Sequence, residues 1–295
     1  MEEVPHEKPT AFVGSARKKH TFDCVRRFLN SQVSVGDVDY EIVTLSDYNL
    51  ETCRSCCVCF EKGEEFCPSR EDDRDVLIEK MMTSDGVVFA SPTYSFQVSA
   101  IMKRFLDRLG FVIHRPCFFG KTFTSIVVQG IYGGPRVVEY LDFLGDSLGF
   151  NVVTGRCVTA LEPVSEKDQR KIDGILAAHS RRFHDRMSGP PYCVPTLSHV
   201  MQFSMARTKL RLMLNESYRD YRYYRDKGWF EADYFYPARL NPLKKAAEHL
   251  FDYTASRSAR NESDLRTAAF REGNRVDGRL GRGRDRRSSP QAASS

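Results

Sequence analysis

The sequence predicts an α/β fold: an open, doubly wound parallel sheet of five strands with helices on both faces, then a helical, aromatic-rich C-terminal extension. Three observations predict it. Short apolar, β-rich runs alternate with helical patterns through about the first 160 residues. The runs are apolar on successive residues, as in strands covered on both faces. Beyond Gly189-Pro190-Pro191 the alternation stops and residues 196–255 read as helical.

Taken in order, Thr10–Val13 reads as the first strand and ends in Gly14-Ser15. A helix from about Thr21 sets Val25, Phe28 and Leu29 on one face. Tyr40–Leu45 reads as the second strand, followed by a cysteine-rich loop and a helix over Asp72–Met82. Gly86–Ala90 is a buried strand running into Ser91-Pro92, and Val98–Leu109 the next helix. Thr122–Gln129 is the fourth strand, then a glycine-containing loop and a helix over Pro135–Leu148. Val152–Leu161 completes the sheet and Glu166–Phe183 the last covering helix. Five strands in this alternation favour a flavodoxin-like doubly wound order. The expected organisation is a sheet domain over residues 1–190, a helical extension over 191–255, and an Arg-rich tail over 256–295. The tail is poor in large apolar residues and is expected to be disordered.

Composition removes several function classes. At 295 residues, 41% hydrophobic and 28% charged, the chain is long enough for a substantial core and ordinary in balance. No apolar run approaches the roughly 18 residues of a membrane-spanning helix. The acidic, polar start MEEVPHEKPT does not read as a secretory signal, so a cytoplasmic address is expected. The net charge of +5 is a property of the tail: up to Ala255 there are 34 basic and 34 acidic residues, and from Ser256 onward ten Arg and five acidic residues. A neutral body weakens any argument for nucleic acid from overall charge. Five of the nine cysteines fall between Cys53 and Cys67, which suggests a metal or redox site.

In a doubly wound sheet the ligand lies at the carboxyl ends of the strands, beside the first strand. The loop Gly14-Ser15-Ala16-Arg17-Lys18-Lys19-His20-Thr21 occupies that place. Its backbone N–H groups and the helix end favour an anion. Ser15 and Thr21 add hydroxyl donors, and Arg17 a fixed fork for phosphate oxygens. The loop matches neither the dinucleotide fingerprint nor the P-loop. The alternative is an ordinary basic turn. On the same rim, Ser91-Pro92-Thr93-Tyr94-Ser95-Phe96 closes the third strand with groups suited to holding a planar ring.

These two loops, the cysteine cluster and the stretch DGVVFASPTYSFQVSAIMKRFLDR, with Lys103 and Asp107-Arg108, resemble the family of NAD(P)H-dependent FMN reductases and iron–sulfur flavoproteins. The resemblance spans roughly residues 9–190 and implies a flavodoxin-like domain that binds FMN, as a homodimer or homotetramer. By position it implies that Ser15, Arg17 and Thr21 hold the FMN phosphate, with Lys18, Lys19 and His20 lining the loop. It implies that Pro92, Thr93, Tyr94 and Phe96 flank the isoalloxazine and that the loop with Gln129, Gly130 and Gly133 closes the remaining edge. The flavin then carries the chemistry, so no side-chain acid or base is required. Lys103 and Asp107, four apart, read as a structural ion pair.

Cys53-x2-Cys56-x2-Cys59-x7-Cys67-Pro68 starts with the spacing of ferredoxin-type cluster loops. The resemblance implies a [4Fe–4S] cluster ligated by Cys53, Cys56, Cys59 and Cys67 near the FMN, with Cys57 directed elsewhere. A structural zinc site would use the same thiolates, and a loop that merely packs near the flavin is the third reading. Cys24, Cys117, Cys157 and Cys193 read as buried small hydrophobes.

Tyr218 to Tyr236 holds nine aromatics in 19 residues, interleaved with Arg219, Arg222 and Arg225. A single-strand nucleic-acid surface would look like this, but aromatics and Arg equally suit packing on the core or a partner subunit, which is the favoured reading. The functional expectation is an FMN-dependent oxidoreductase that takes electrons from NAD(P)H or a ferredoxin-like donor and passes them to a quinone, a nitroaromatic or a redox protein. The alternatives are a flavin and iron–sulfur electron carrier with no small substrate, and a cofactor-free nucleic-acid-binding module.

Overall fold

In the computed structural model of the chain, residues 7–34 and 36–281 are described, with side chains described as far as residue 261. The elements in chain order are β1 (Pro9–Val13), α1 (His20–Val33), β2 (Glu41–Thr44), α2 (Val58–Glu61), α3 (Arg74–Met82), β3 (Gly86–Pro92), α4 (Ala100–Arg108) and α5 (Gly110–His114). Next come β4 (Thr122–Gln129), α6 (Gly134–Ser147), β5 (Asn151–Val152), β6 (Arg156–Thr159) and α7 (Glu166–Met187). The last three are α8 (Leu197–Met213), α9 (Arg219–Asp226) and α10 (Pro242–Gly281).

The strands pair in parallel in the order β2-β1-β3-β4-β5, and β6 also pairs with β4, so β5 and β6 together fill the fifth position. This is the flavodoxin-like arrangement, with its switch point between β1 and β3. The fifth strand, expected to be continuous, is interrupted at Val153–Gly155. There the Thr124 hydroxyl donates to the Val153 carbonyl at 2.8 Å, and the Asp142 carboxylate accepts from the Gly155 N–H at 3.0 Å. Side chains of β4 and α6 thus satisfy backbone groups that a regular ladder would have paired.

Period-two alternation explains the two cores. Phe12, Val87, Phe89 and Phe123 face one side of the sheet with Leu77 of α3, Phe105 of α4 and Leu141 of α6. Ala11, Val13, Val88, Ala90 and Ile126 face the other, against Val25, Phe28 and Leu29 of α1 and Leu176 and Phe183 of α7. Phe12 stacks on Phe105 at 5.5 Å and Phe89 meets Phe123 edge-on at 5.0 Å, geometries that aromatic quadrupoles favour.

The chain divides into two compact units. One runs to Cys193 and takes in Tyr218–Tyr223; the other holds Val194–Ser217 and resumes at Tyr224. Tyr218–Tyr223, which the sequence groups with the extension, therefore belongs with the sheet. In the second unit Arg207 of α8 pairs with Glu248 at 2.9 Å and Asp252 at 2.6 Å, both on α10. Tyr224, Trp229, Phe230 and Tyr234 are buried there, and the Trp229 indole N–H donates to the Phe235 carbonyl at 3.0 Å. These rings are spent on packing rather than on a stacking surface.

Two expectations are corrected. Helix α10 runs on to Gly281, through the first part of the segment expected to be disordered. Residues 243–281 contain no proline and are rich in Ala, Arg, Leu and Glu, good helix formers; residues 282–295 lie outside the described residues. Of the cysteines read as buried, Cys24 is buried, Cys117 and Cys157 are half-buried, and Cys193 is exposed in the irregular stretch after Pro190-Pro191. No helix among the described residues is long and apolar enough to cross a membrane.

Candidate functional site

The parallel register sets the first cleft. Val13 pairs with Ala90, so Gly14 leaves β1 beside Ser91, while β3 runs on to Pro92 against β4, and the Gly14 N–H donates to the Ala90 carbonyl at 2.8 Å. Ser99, the N-cap of α4, ties the loops together. Its hydroxyl donates to the Gly14 carbonyl and accepts from the Met102 N–H, while its own N–H donates to the Ser91 hydroxyl at 2.9 Å. Gly14 is required here because a Cβ would stand 2.6 Å from the Met102 Cβ.

The carboxyl ends of β1, β3, β4 and β6 enclose a cleft of about 410 Å³, within the range of small-molecule sites. Ser15, Arg17, Lys19, His20, Thr21, Pro92, Thr93, Tyr94, Gln129 and Gly130 line it together, as the sequence predicts. Two observations mark it as built for a polar ligand. No side chain caps the N-terminus of α1, which leaves first-turn N–H groups for an anion. The Thr93 hydroxyl is buried on the wall without a hydrogen-bond partner among the described residues. Such a group costs free energy unless something else pairs with it.

Three predicted residues stand off the cleft wall. Lys18 points outward, over the Phe22 ring at 5.7 Å. Phe96 and Gly133 lie next to each other outside the lining: Gly133 caps α6 at φ +96°, a Cβ there would meet the Phe96 ring at 2.7 Å, and that ring lies 5.3 Å from Tyr132. Ser95 and Phe96 are both left-handed, at φ 49° and 62°, between paired Tyr94 and Gln97. Holding two side-chain-bearing residues in that region costs about 1–2 kcal/mol each, and the tight turn keeps Tyr94 and Phe96 exposed at the rim. Gln129 holds its loop from within, accepting from the Gly134 N–H at 2.7 Å and donating to Thr159 at 3.0 Å.

Val128, Ala160 and Glu162 also line the cleft, and sequence reasoning missed them. The rule that places ligands at strand ends would have found the first two. Glu162 meets His20 Nε2 at 2.8 Å, a pairing across 142 residues that no local pattern announces.

A second cleft of about 320 Å³ is lined by Cys53, Cys56, Cys57, Cys59 and Cys67, with Arg74, Arg108 and Phe111. All four predicted ligand cysteines share it, and so does Cys57, expected to point elsewhere. Arg108 of α4 is buried. It grips Asp72 with two bonds of 3.0 and 3.1 Å, donates to the Ser69 carbonyl at 2.7 Å, and reaches the Cys67 sulfur at 3.3 Å. Burial pushes the Cys67 thiol up, but the Arg108 hydrogen bond and the Arg108 and Arg74 charges bring it below the usual range. Burial raises Cys59, and the Arg115 charge only partly opposes it. Lys103 and Asp107 form the expected ion pair on α4.

Among the described residues no three His, Cys, Asp or Glu side chains converge to hold a metal ion. The four thiols share one cleft beside buried cations, a donor set that suits an iron–sulfur cluster, but their sulfurs are not gathered at ligating distance.

A family model for NADPH-dependent FMN reductase matches residues 8–161. An iron-sulfur flavoprotein of Archaeoglobus fulgidus is 27% identical over 235 residues, covering 75% of this chain and 99% of the relative. An iron-sulfur flavoprotein of Clostridioides difficile is 25% identical over 224 residues, covering 72% and 93%. Among solved structures, RosB with bound 8-demethyl-8-formylriboflavin-5′-phosphate shares the fold, at a TM-score of 0.52 and 13% identity over 80% of this chain and 92% of that one. With the match covering more than half its length, and with a cleft at the switch point of a flavodoxin-like sheet, the chain belongs to the NADPH-dependent FMN reductase family and is an FMN reductase-like oxidoreductase.

Proposed function

We propose that the larger cleft holds FMN and that the enzyme passes electrons from NAD(P)H, or from a ferredoxin-like donor, to a small acceptor such as a quinone or nitroaromatic. The observation that carries this reading is the convergence of the β1, β3 and β4 loops on one cleft with an uncapped α1 terminus and an unpaired Thr93 hydroxyl. When bound, FMN supplies the hydride and electron chemistry. The chain binds and orients it. Ser15, Arg17, His20 and Thr21 receive the phosphate; Thr93 donates to or accepts from the ring system; Pro92 and Tyr94 cover the ring, with Phe96 next to Gly133 outside the lining. The exposed Tyr94–Phe96 turn leaves room for a planar acceptor against the ring.

Cys53, Cys56, Cys59 and Cys67 would ligate a [4Fe–4S] cluster in the second cleft, with Arg108 donating to the Cys67 sulfur. This is supported by their shared cleft and by the names of the relatives from Archaeoglobus fulgidus and Clostridioides difficile. The presence of a second candidate redox cleft favours one alternative: an electron carrier between proteins, with no small substrate. We assign the working form as a homodimer or homotetramer in the cytoplasm. An anaerobic visible spectrum with iron and sulfide analysis is the test. Flavin bands with about four iron per chain support the full reading. Flavin bands without iron leave FMN and remove the cluster. Colourless protein that takes up no added FMN overturns both. NAD(P)H oxidation with a quinone separates the enzyme, which turns over, from the carrier, which does not.

A further inference from the structure

The cysteine loop cannot hold its own position. Neither α2 nor the 3₁₀ turn Glu64–Phe66 contains a buried residue, and Ser55 and Cys57 are left-handed, at φ 54° and 58°. A loop whose side chains are at most half-buried is placed largely by contacts from outside it. At its Cys67 end those come from Arg108, neutralised by Asp72 nearby. At its Cys59 end they come from Arg115, which pairs with Glu64 of the loop and with a buried carboxylate far along the chain, Asp220.

Arg115 is buried at the end of α5. One guanidinium nitrogen donates both to the Cys59 carbonyl at 3.1 Å and to Asp220 at 3.0 Å, and the other donates to Glu64 at 2.7 Å. Asp220 is buried too, and its second oxygen lies 2.8 Å from His114 Nδ1. The His114 ring stacks on Phe60, the residue after Cys59, at 4.1 Å. From the same turn of α9, Arg222 donates to the Lys62 carbonyl at 3.1 Å. Residues 59–64 are thus held by a segment more than 150 positions later, and that segment, Tyr218–Tyr223, is the part of the extension that belongs to the first unit.

We propose that Asp220 is a positioning residue for the cysteine site: through Arg115 and His114 it holds the Cys59 end of the loop, which makes Tyr218–Tyr223 a working part of that site. The assignment of a role in cluster retention rests on the proposed function; the anchoring of Cys59 does not. Without the Asp220 carboxylate, Arg115 keeps only Glu64, which lies in the cysteine loop itself and is partly exposed, and it loses the buried contact that fixes the nitrogen facing Cys59. The Cys59 backbone then loses its donor.

Asp220→Asn keeps the shape and removes the charge. In the full-length protein as isolated, iron per chain falls by about tenfold or more, since outer partners of metal ligands carry about 10–100-fold in affinity. FMN per chain and its visible bands stay at the wild-type level. In full-length protein stripped of iron, Cys59 alkylation followed by mass spectrometry speeds up by about fivefold or more, as loss of local protection requires, while buried Cys24 stays unchanged. Wild-type iron content together with wild-type Cys59 labelling overturns the proposal. If Asp220→Asn does not fold, the double change Arg219→Ala with Arg222→Ala, at two half-buried positions of the same segment, takes its place: about twofold faster Cys59 labelling is expected, and an unchanged rate overturns the proposal. Wild-type protein that binds FMN but no iron removes the cluster reading, and the labelling comparison still decides the anchoring.

Discussion

The two clefts are built on different principles. The larger one is made by backbone: strand ends brought level by the parallel register, an uncapped helix terminus and loops tied together through Ser99. It follows from the fold and is as stable as the sheet. The smaller one is made by side chains: a loop with no buried side chain in either of its helical turns, placed by two buried arginines, Arg108 paired with Asp72 and Arg115 paired with Asp220 and Glu64. A site built by backbone keeps its shape when one lining side chain is lost, even where that side chain contributes to affinity. A site built by buried charge pairs does not, because each half-pair left behind is an uncompensated charge.

The largest test of that contrast is Arg108→Met. Losing the buried partner of Asp72 is expected to lower the unfolding free energy by about 3–5 kcal/mol, read from urea denaturation at constant slope. Flavin titration of the folded fraction should still show FMN binding near the wild-type affinity. A cost under about 1 kcal/mol, the range of exposed pairs, would mean that the cysteine region is not held as described. On the other cleft, Arg17→Ala removes one charge-assisted phosphate contact, of the kind that contributes about 1.5–3 kcal/mol. FMN affinity should drop by roughly 10- to 100-fold while riboflavin, which has no phosphate, binds as before. Equal losses for both flavins would move the phosphate away from Arg17.

The contrast also explains what could be read from sequence. Thr10–Val13 with Gly14-Ser15, and Gly86–Ala90 with Ser91-Pro92, carry strand and loop signals within a few residues of one another. The fold rule then places them on one rim, so the loop residues found in the larger cleft were legible. Lys18 belongs with them in sequence only by adjacency, and its side chain lies over Phe22 instead. The thiols of the second cleft were legible by spacing, but Arg115 and Asp220 were not. Their meaning lies in a pairing across 105 residues, and the aromatic-rich stretch around Asp220 reads as part of a separate extension. The fifth strand was legible as one run, yet its break depends on Thr124 and Asp142, whose hydroxyl and carboxylate take up backbone groups.

Acid offers a way to strike the backbone-built cleft through its sheet. His179 of α7 is buried, with Nε2 2.8 Å from the Thr124 hydroxyl of β4. Burial, then the charges of Arg156 and Arg182, push its pKa down to about 3 from 6.5. The unfolded chain takes up a proton here below about pH 6.5 and the folded chain does not until about pH 3. Stability from this residue is therefore complete above pH 6.5 and declines as pH falls from 6.5 toward 3, by up to about 1.4 kcal/mol per pH unit. FMN release, followed by flavin fluorescence, should coincide with loss of far-UV circular dichroism across that window, and His179→Gln should flatten the slope. Flavin lost well before the sheet would show that the cleft is less tied to the fold than its geometry implies.

The smallest expected effect concerns Glu162, the one carboxylate among the described residues on the wall of the larger cleft. It meets His20 Nε2 at 2.8 Å and is itself mostly exposed. A phosphate entering the loop meets two consequences of that carboxylate: like-charge repulsion, and an imidazole already engaged. Glu162→Gln removes the first and weakens the second. Exposed pairs are worth about 0.2–1 kcal/mol, so FMN should bind roughly two- to fivefold more tightly while riboflavin is unaffected. The gain should shrink as salt rises, because the repulsion acts through solvent. Weaker FMN binding by Glu162→Gln would reverse the assignment: Glu162 would then be orienting His20 for the phosphate, and the larger cleft would depend on a side-chain pair just as the cysteine cleft does.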